Sequence, residues 1–329
     1  MMRDTASDHV IALCGGIGGA KLALGLYRVL GPGRLTLIVN TGDDFEHHGL
    51  HVSPDIDTVM YTLAGLADAE RGWGRAGETW QFMAALRELH DDAWFSLGDR
   101  DLAMHVLRTE WLRRGGLLST FTAGVAERLG VRARILPMSD GAVRTIVCTD
   151  EGDLAFQDYF VRRRCAPAVR AVRFEGASDA GPAAGVKDAL ANAGAIVICP
   201  SNPYLSVDPI LAVPQLADAL KRAPAPVVAV SPLIGGQAVK GPTGKMMAEL
   251  GIATGTRSIA AHYRRLIDGL VIDTTDGADR TQADLPVTVT NTMMRSVEDR
   301  ERLARDVLAF CATLTGRSRA MATASAEGQ

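Results

Sequence analysis

The chain has 329 residues, room for two average domains or one large α/β domain with an insertion, and its 35 Lys+Arg against 38 Asp+Glu leave a net charge of -3. Nothing in that balance resembles the basic stripe that neutralises a nucleic-acid backbone, so no nucleic-acid partner is expected. Five scattered cysteines without C-x-x-C spacing exclude a disulfide framework, and no charge-free run approaches the ~20 residues of a membrane span, so a reduced, cytoplasmic, membrane-free protein is expected.

Val10 to Cys14 is an apolar run entering Gly15-Gly16-Ile17-Gly18-Gly19-Ala20-Lys21, and leucines among small residues follow it, which predicts strand, glycine turn and helix. Pro32 and Gly33 stop that helix, and Leu35 to Val39 is a second continuous apolar run, as in a parallel strand covered on both faces. Ser53-Pro54 opens a helix whose Ile56, Val59, Met60 and Leu63 form one buried face. Helical patterns run through Trp80 to Leu89, Leu102 to Trp111 and Leu118 to Leu129. β-like runs follow at Arg134 to Pro137, Val143 to Thr149, Leu154 to Val161 and Ala168 to Phe174. Strands at Ala195 to Cys199, Val227 to Val230, Leu270 to Ile272 and Val287 to Thr290 then alternate with helical stretches, the last near Val297 to Leu314. The expected fold is α/β, a Rossmann-like doubly wound parallel sheet with a mixed α+β insertion. Its core comprises residues 1–77 and 179–314, the insertion 78–178 helps form the substrate pocket, and 315–329 is a flexible tail.

Ligands of such a sheet sit at the carboxyl ends of its strands. The glycine turn there presents backbone N–H groups and a helix N-terminus to an anion, with phosphate the natural guest. Lys21 stands where a dinucleotide fingerprint has its third glycine, and strand two ends in Asn40-Thr41-Gly42 without a ribose-gripping acid, so NAD is disfavoured. Lys245 in Gly241-Pro242-Thr243-Gly244-Lys245 does not complete a Walker A loop. Asp43, Asp44, Asp55 and Asp57 crowd one short stretch at the ligand edge, the donor type a magnesium ion takes together with phosphate oxygens. Asp55 in a first helical turn is also explained by the helix dipole, and Asp99 and Asp101 serve equally as caps. His47, His48 and His51 lack the spacing of a tetrahedral metal site. Ser201 and Asn202 after one strand, and Ser231 and Gly235 after another, bring small polar groups to the same edge. Arg162, Arg163 and Arg164 either clamp an anion or form a solvated edge.

The motifs CGGIGGAK, NTGDD, SPDIDTVMYTLAG, RGWGRAGETW, WFSLGDRDLAMH, PSNPYLSVDPILAVP and SPLIGGQAVKGPTGKMM, in this order and spacing, closely resemble the 2-phospho-L-lactate transferase family of coenzyme F-420 assembly. The resemblance implies a magnesium-dependent, homodimeric enzyme. Such an enzyme moves a phosphorylated three-carbon acid from its guanosine diphosphate ester to the ribityl hydroxyl of a deazaflavin, 7,8-didemethyl-8-hydroxy-5-deazariboflavin, and releases GMP. It implies a flavin contact at Asp57 and another at Ser96, where some relatives carry lysine, and a metal and phosphate region at Asp43, Asp44 and Asp55. On this reading Asp43 and Asp57 are the catalytic pair, holding magnesium or orienting the hydroxyl, with Asp44 and Asp55 in support. Gly15, Gly16, Gly18, Gly19, Lys21, Ser201, Asn202, Ser231 and Gly235 face the nucleotide, and the flavin ring lies near Trp80, Trp94 and Phe95. The transferred acid, phospholactate, phosphoenolpyruvate or phosphoglycerate, stays open. The alternative is a non-catalytic, nucleotide-sugar-binding regulator of a related family, whose acidic segment reads differently and lacks a partner for SPDIDT.

Overall fold

Seven short runs of mostly aliphatic residues form one parallel sheet in a computed structural model that describes residues 9–239 and 241–314. They are β1 (Val10–Cys14), β2 (Leu35–Val39), β3 (Arg134–Pro137), β4 (Ala195–Ile198), β5 (Val227–Val230), β6 (Gly269–Asp273) and β7 (Val287–Thr290). Their spatial order is β7-β6-β5-β4-β1-β2-β3, so β1 pairs in parallel with β2 on one side and with β4 on the other. The strand order reverses between β1 and β4, and a crevice opens there beyond the carboxyl ends. The expected doubly wound α/β fold is therefore present. The tail expected at 315–329 lies outside the described residues.

The five central strands are buried throughout, whereas β7 and one end of β3 are partly exposed, as befits sheet edges. Side chains alternate between two cores. Ile11, Leu13, Ile38, Ile196 and Ile198 join one, together with the helices Val186–Ala191 and Pro214–Arg222. Val10, Ala12, Leu37, Val39 and Val197 join the other, beneath α1 (Gly16–Leu30), α2 (Pro54–Leu63) and the final helix Val297–Leu314.

Two stretches depart from the sequence reading. Arg134 to Pro137, grouped there with the β-like runs of the insertion, is strand β3 and pairs with β2 at the edge of the central sheet. Leu154 to Val161 is only briefly extended: Gly152–Ala155 is a strand, and the chain then coils through a π-helical turn at Asp158–Arg162. The apolar spacing Phe156, Tyr159, Phe160 is helical rather than alternating, which is the physical reason. Arg144–Thr149 forms the centre of a small antiparallel sheet with Gly152–Ala155 and Val169–Glu175. Between β2 and β3 the chain also forms an antiparallel hairpin (Phe45–His47 with Leu50–Val52) and α3 (Asp99–Arg113). No helix among the described residues is long and apolar enough to cross a membrane.

Candidate active site

The glycine turn between β1 and α1 rests on a tight fit. Gly16 has φ +64°, and a Cβ on Gly18 would lie 2.5 Å from the Pro200 carbonyl oxygen, so only glycine lets α1 begin this close to the end of β4. A Cβ on Gly19 would meet the Ser201 hydroxyl at 2.6 Å. The Ser201 hydroxyl braces the turn, accepting from the Gly15 N–H at 3.3 Å and donating to the Gly15 carbonyl at 2.8 Å. The first turn of α1 contains no acidic residue, so its positive end faces the crevice without a charge of its own helix to neutralise it.

Four aspartates converge on this end of the sheet, each with a different partner. Asp55 accepts from the Gly16 N–H at 2.6 Å and from the Asn40 amide at 2.9 Å, tying α2 to the glycine turn. Burial pushes its carboxyl up to about 6 against these two hydrogen bonds. The Asp43 carboxylate accepts from the same Asn40 amide at 3.4 Å, and its backbone carbonyl accepts from the Gln157 amide at 3.3 Å. Burial, reinforced by Asp55 and Asp44 beside it, raises its carboxyl well above the usual range. Asp44 turns the other way, accepting from the Ser53 hydroxyl at 2.8 Å and facing the His51 ring at 3.2 Å, so it fastens the hairpin to the start of α2. Asp57 meets Arg108 of α3 through both oxygens: Nη1 donates to Oδ2 at 3.1 Å and Nη2 donates to Oδ1. Burial raises the Asp57 carboxyl, while Arg108 and then His105 oppose the rise.

α3 carries a polar stripe through an otherwise apolar contact. Asp101, His105 and Arg108 lie one helical turn apart on its inner face and reach Asp57 and Tyr61 of α2. Arg108 is a donor only, so its 3.4 Å contact makes His105 Nδ1 an acceptor and leaves the ring proton on Nε2, which faces Asp101 Oδ2 at 3.5 Å. Asp101 also accepts from the Tyr61 hydroxyl at 2.6 Å. Burial pushes its carboxyl up, but His105 and Tyr61 bring it below the usual value. Asp57, Asp101 and His105 are near enough together to share a cation. The Arg108 guanidinium already occupies both Asp57 oxygens, however, and opposes one there.

A single cavity of about 700 Å³ joins these groups. Of the residues singled out from the sequence, Gly15, Gly16, Gly18, Lys21, Asp43, Asp55, Asp57, Ser96, Ser201, Asn202 and Ser231 line it. Gly19, Asp44 and Gly235 do not: Gly19 is packed behind Ser201, and the amides of Gly235 and Gly236 are held by the Asp276 carboxylate at 2.9 and 2.8 Å. Trp94 and Phe95 line the cavity as expected, but Trp80 packs against Trp73 and Arg71 outside it. Lys245 pairs with Glu249, and Arg162 and Arg163 pair with Asp92 and Glu151 on the surface. Of the three histidines, His47 and His48 meet with ring centroids 4.1 Å apart beside Trp94 and Phe95, while His51 turns away to face Asp44. The sequence reading passed over Asp101 as a site residue in its own right and missed His105, Arg108, Tyr61, Asn40 and the aromatic pair Phe156 and Phe160. The spacing Asp101, His105, Arg108 was the available signal, since it sets three polar groups on one face of a helix.

The family model described as 2-phospho-L-lactate transferase CofD matches residues 10–309, nearly the whole described chain. The chain belongs to this family. CofD relatives align end to end. A phosphoenolpyruvate transferase of Kitasatospora aureofaciens is 44% identical over 92% of this chain and 97% of its own, and a 2-phospho-L-lactate transferase of Methanopyrus kandleri is 40% identical over 94% and 99%. Like its CofD relatives, this chain is a transferase. A solved UPF0052 family structure from Bacillus halodurans shares the fold, with a TM-score of 0.61 over 92% of this chain and 99% of its own, at 16% identity. The two chains thus share a fold with little sequence in common.

Proposed function

We propose that this CofD protein transfers a phosphorylated three-carbon acid from its guanosine diphosphate ester to the terminal ribityl hydroxyl of 7,8-didemethyl-8-hydroxy-5-deazariboflavin in coenzyme F-420 assembly, releasing GMP. One observation carries the reading: the cavity is lined by two unlike kinds of group. The glycine turn, Lys21, Ser201 and Asn202 suit a diphosphate, and Trp73, Trp94, Phe95, Phe156 and Phe160 suit a flat aromatic ring. Asp43, Asp55 and Asp57 line the same cavity. The hydroxyl oxygen attacks the phosphorus that bears the acid, the bridging P–O bond breaks with its electron pair leaving on GMP, and the hydroxyl proton is released to solvent. Catalysis of this kind consists mostly of positioning and charge neutralisation.

Asp43 and Asp55 fit a hard divalent cation, being two buried carboxylates that share one amide nitrogen. Magnesium bound there would neutralise diphosphate oxygens. Asp57, already neutralised by Arg108, is assigned to the attacking hydroxyl, which donates a hydrogen bond to it. Asp44, turned to Ser53 and His51, supports the site only by fastening the hairpin to the start of α2. Relatives named phosphoenolpyruvate transferase, such as the one at 44% identity, favour phosphoenolpyruvate as the acid over phospholactate or phosphoglycerate. Incubating the protein with the deazaflavin, magnesium and each guanylated acid in turn tests this. The expected result is GMP together with one product heavier than the deazaflavin by the phosphoenolpyruvate unit; folded protein that yields no adduct with any of the three acids would overturn the proposal.

A further inference from the structure

Gln157 is a buried amide with one end committed within the protein and the other open. It is 5% exposed, opens the π-helical turn at Asp158–Arg162 and lines the cavity. Its Nε2 donates to the Asp43 backbone carbonyl at 3.3 Å. A carbonyl only accepts, so this contact fixes which way round the amide sits and turns its Oε1 away from Asp43. No described residue donates to that oxygen, and it is not sealed from solvent, so it opens onto the cavity as an unused acceptor. We propose that it accepts a hydrogen bond from a hydroxyl of the acceptor's polyol chain, which makes Gln157 a residue that selects acceptors by their chain.

The chemistry of the oxygen narrows its partner. Diphosphate and carboxylate groups are acceptors at neutral pH and are repelled by it, whereas a hydroxyl donates. Its position narrows the partner further. Phe156, the preceding residue, stacks on Phe160 with ring centroids 5.3 Å apart, and both line the cavity with the other aromatic side chains. Through its amide nitrogen Gln157 is bonded to the residue that carries one of the two carboxylates assigned to the metal. A ribityl chain links a flat ring to the reacting hydroxyl, so it runs from the first of these groups to the second and passes Gln157. The placement is firm: the Thr145 N–H donates to the Gly42 carbonyl at 2.7 Å, a second tie to the turn that carries Asp43. This role rests on the transfer reaction proposed above and adds to it a group that reads the chain rather than the ring.

Calorimetric titration of the intact protein with two ligands tests the role: the deazaflavin itself, and an analogue whose ring nitrogen carries a methyl group in place of the ribityl chain. Gln157→Met keeps the length of the side chain and removes the amide. The variant should bind the ribityl compound about 3- to 10-fold more weakly, the loss of one neutral hydrogen bond. It should bind the methyl analogue as the parent does, with an unchanged circular dichroism spectrum. Gln157→Asn, shorter by one methylene, retains a polar group in the site and should show the same selective loss. A residue that merely braces Asp43 would affect both ligands alike or neither. Equal changes for the two ligands, or no change for either, therefore overturn the proposal and leave the transfer reaction standing. A parent that binds neither ligand overturns the transfer reaction and the proposal with it.

Discussion

Arg108 and Asp57 form a buried, two-pronged ion pair between α3 and α2, with Arg108 only 1% and Asp57 5% exposed. The pair joins the two helices that close one side of the cavity, so its removal has both structural and functional effects.

Replacing Arg108 with Met leaves the Asp57 carboxylate buried without its partner. Breaking a buried pair from one side costs about 3–5 kcal/mol. The double variant Asp57→Asn with Arg108→Met should recover most of that loss in urea unfolding while remaining inactive in transfer. Failure of the double variant to regain stability would show that the pair is not the seat of the effect.

Gly16→Ala and Gly18→Ala should differ in kind. At Gly16 the nearest atom to an added Cβ is 3.8 Å away, so only the positive φ is penalised, at about 1–2 kcal/mol. At Gly18 the methyl would strike the Pro200 carbonyl and push α1 away from β4. Transfer should therefore fall further in Gly18→Ala than in Gly16→Ala, even where urea midpoints are similar.

His47 makes a prediction about pH. Burial first, and then His48, lowers its ring to about 4, so the folded protein holds it neutral where the unfolded chain, at the usual 6.5, would be protonated. The unfolded state binds the extra proton between those values. This contribution to stability is therefore full above about pH 6.5 and disappears as the pH falls toward 4. Urea midpoints of the parent minus those of His47→Phe should rise across that window; a flat difference would show that the ring titrates normally.

Asp43→Asn should separate metal binding from folding. Removing a poorly compensated buried charge should leave the metal-free protein at least as stable as the parent. Magnesium at about 100 times its dissociation constant should stabilise the parent by about 2.7 kcal/mol and leave the variant unmoved. A variant that responds to magnesium as the parent does would place the ion elsewhere.

The sheet was legible because parallel strands covered on both faces are nearly continuous apolar runs, as Val10 to Cys14, Val227 to Val230 and, but for Thr36, Leu35 to Val39 are. Arg134 to Pro137 carries the same signal, yet its neighbours in sequence belong to another sheet, and nothing local says which partner a strand will choose. Of the site, the glycine turn and the aspartate cluster could be read because their chemistry is concentrated in a few consecutive residues. The Arg108 contact could not, since it joins positions 51 residues apart through tertiary packing alone. Nor does a motif distinguish Asp44, which faces a hairpin, from its neighbour Asp43, which faces the cavity.

The connection from β2 to β3 contains the hairpin, α2 and α3, along with Asp57, Trp73, Trp94 and Ser96, whereas Ser201 and Asn202 arrive after β4. One excursion of the chain thus furnishes Asp57, Trp73, Trp94 and Ser96 to the cavity, and the loops at the sheet's own strand ends furnish the glycine turn, Ser201 and Asn202. Exchanging that excursion between homologues amounts to changing a cartridge in a fixed frame: the recipient should inherit a new acceptor preference, and the donor homologue's Asp43 and Asp55 with it, while keeping its own glycine turn, Ser201 and Asn202.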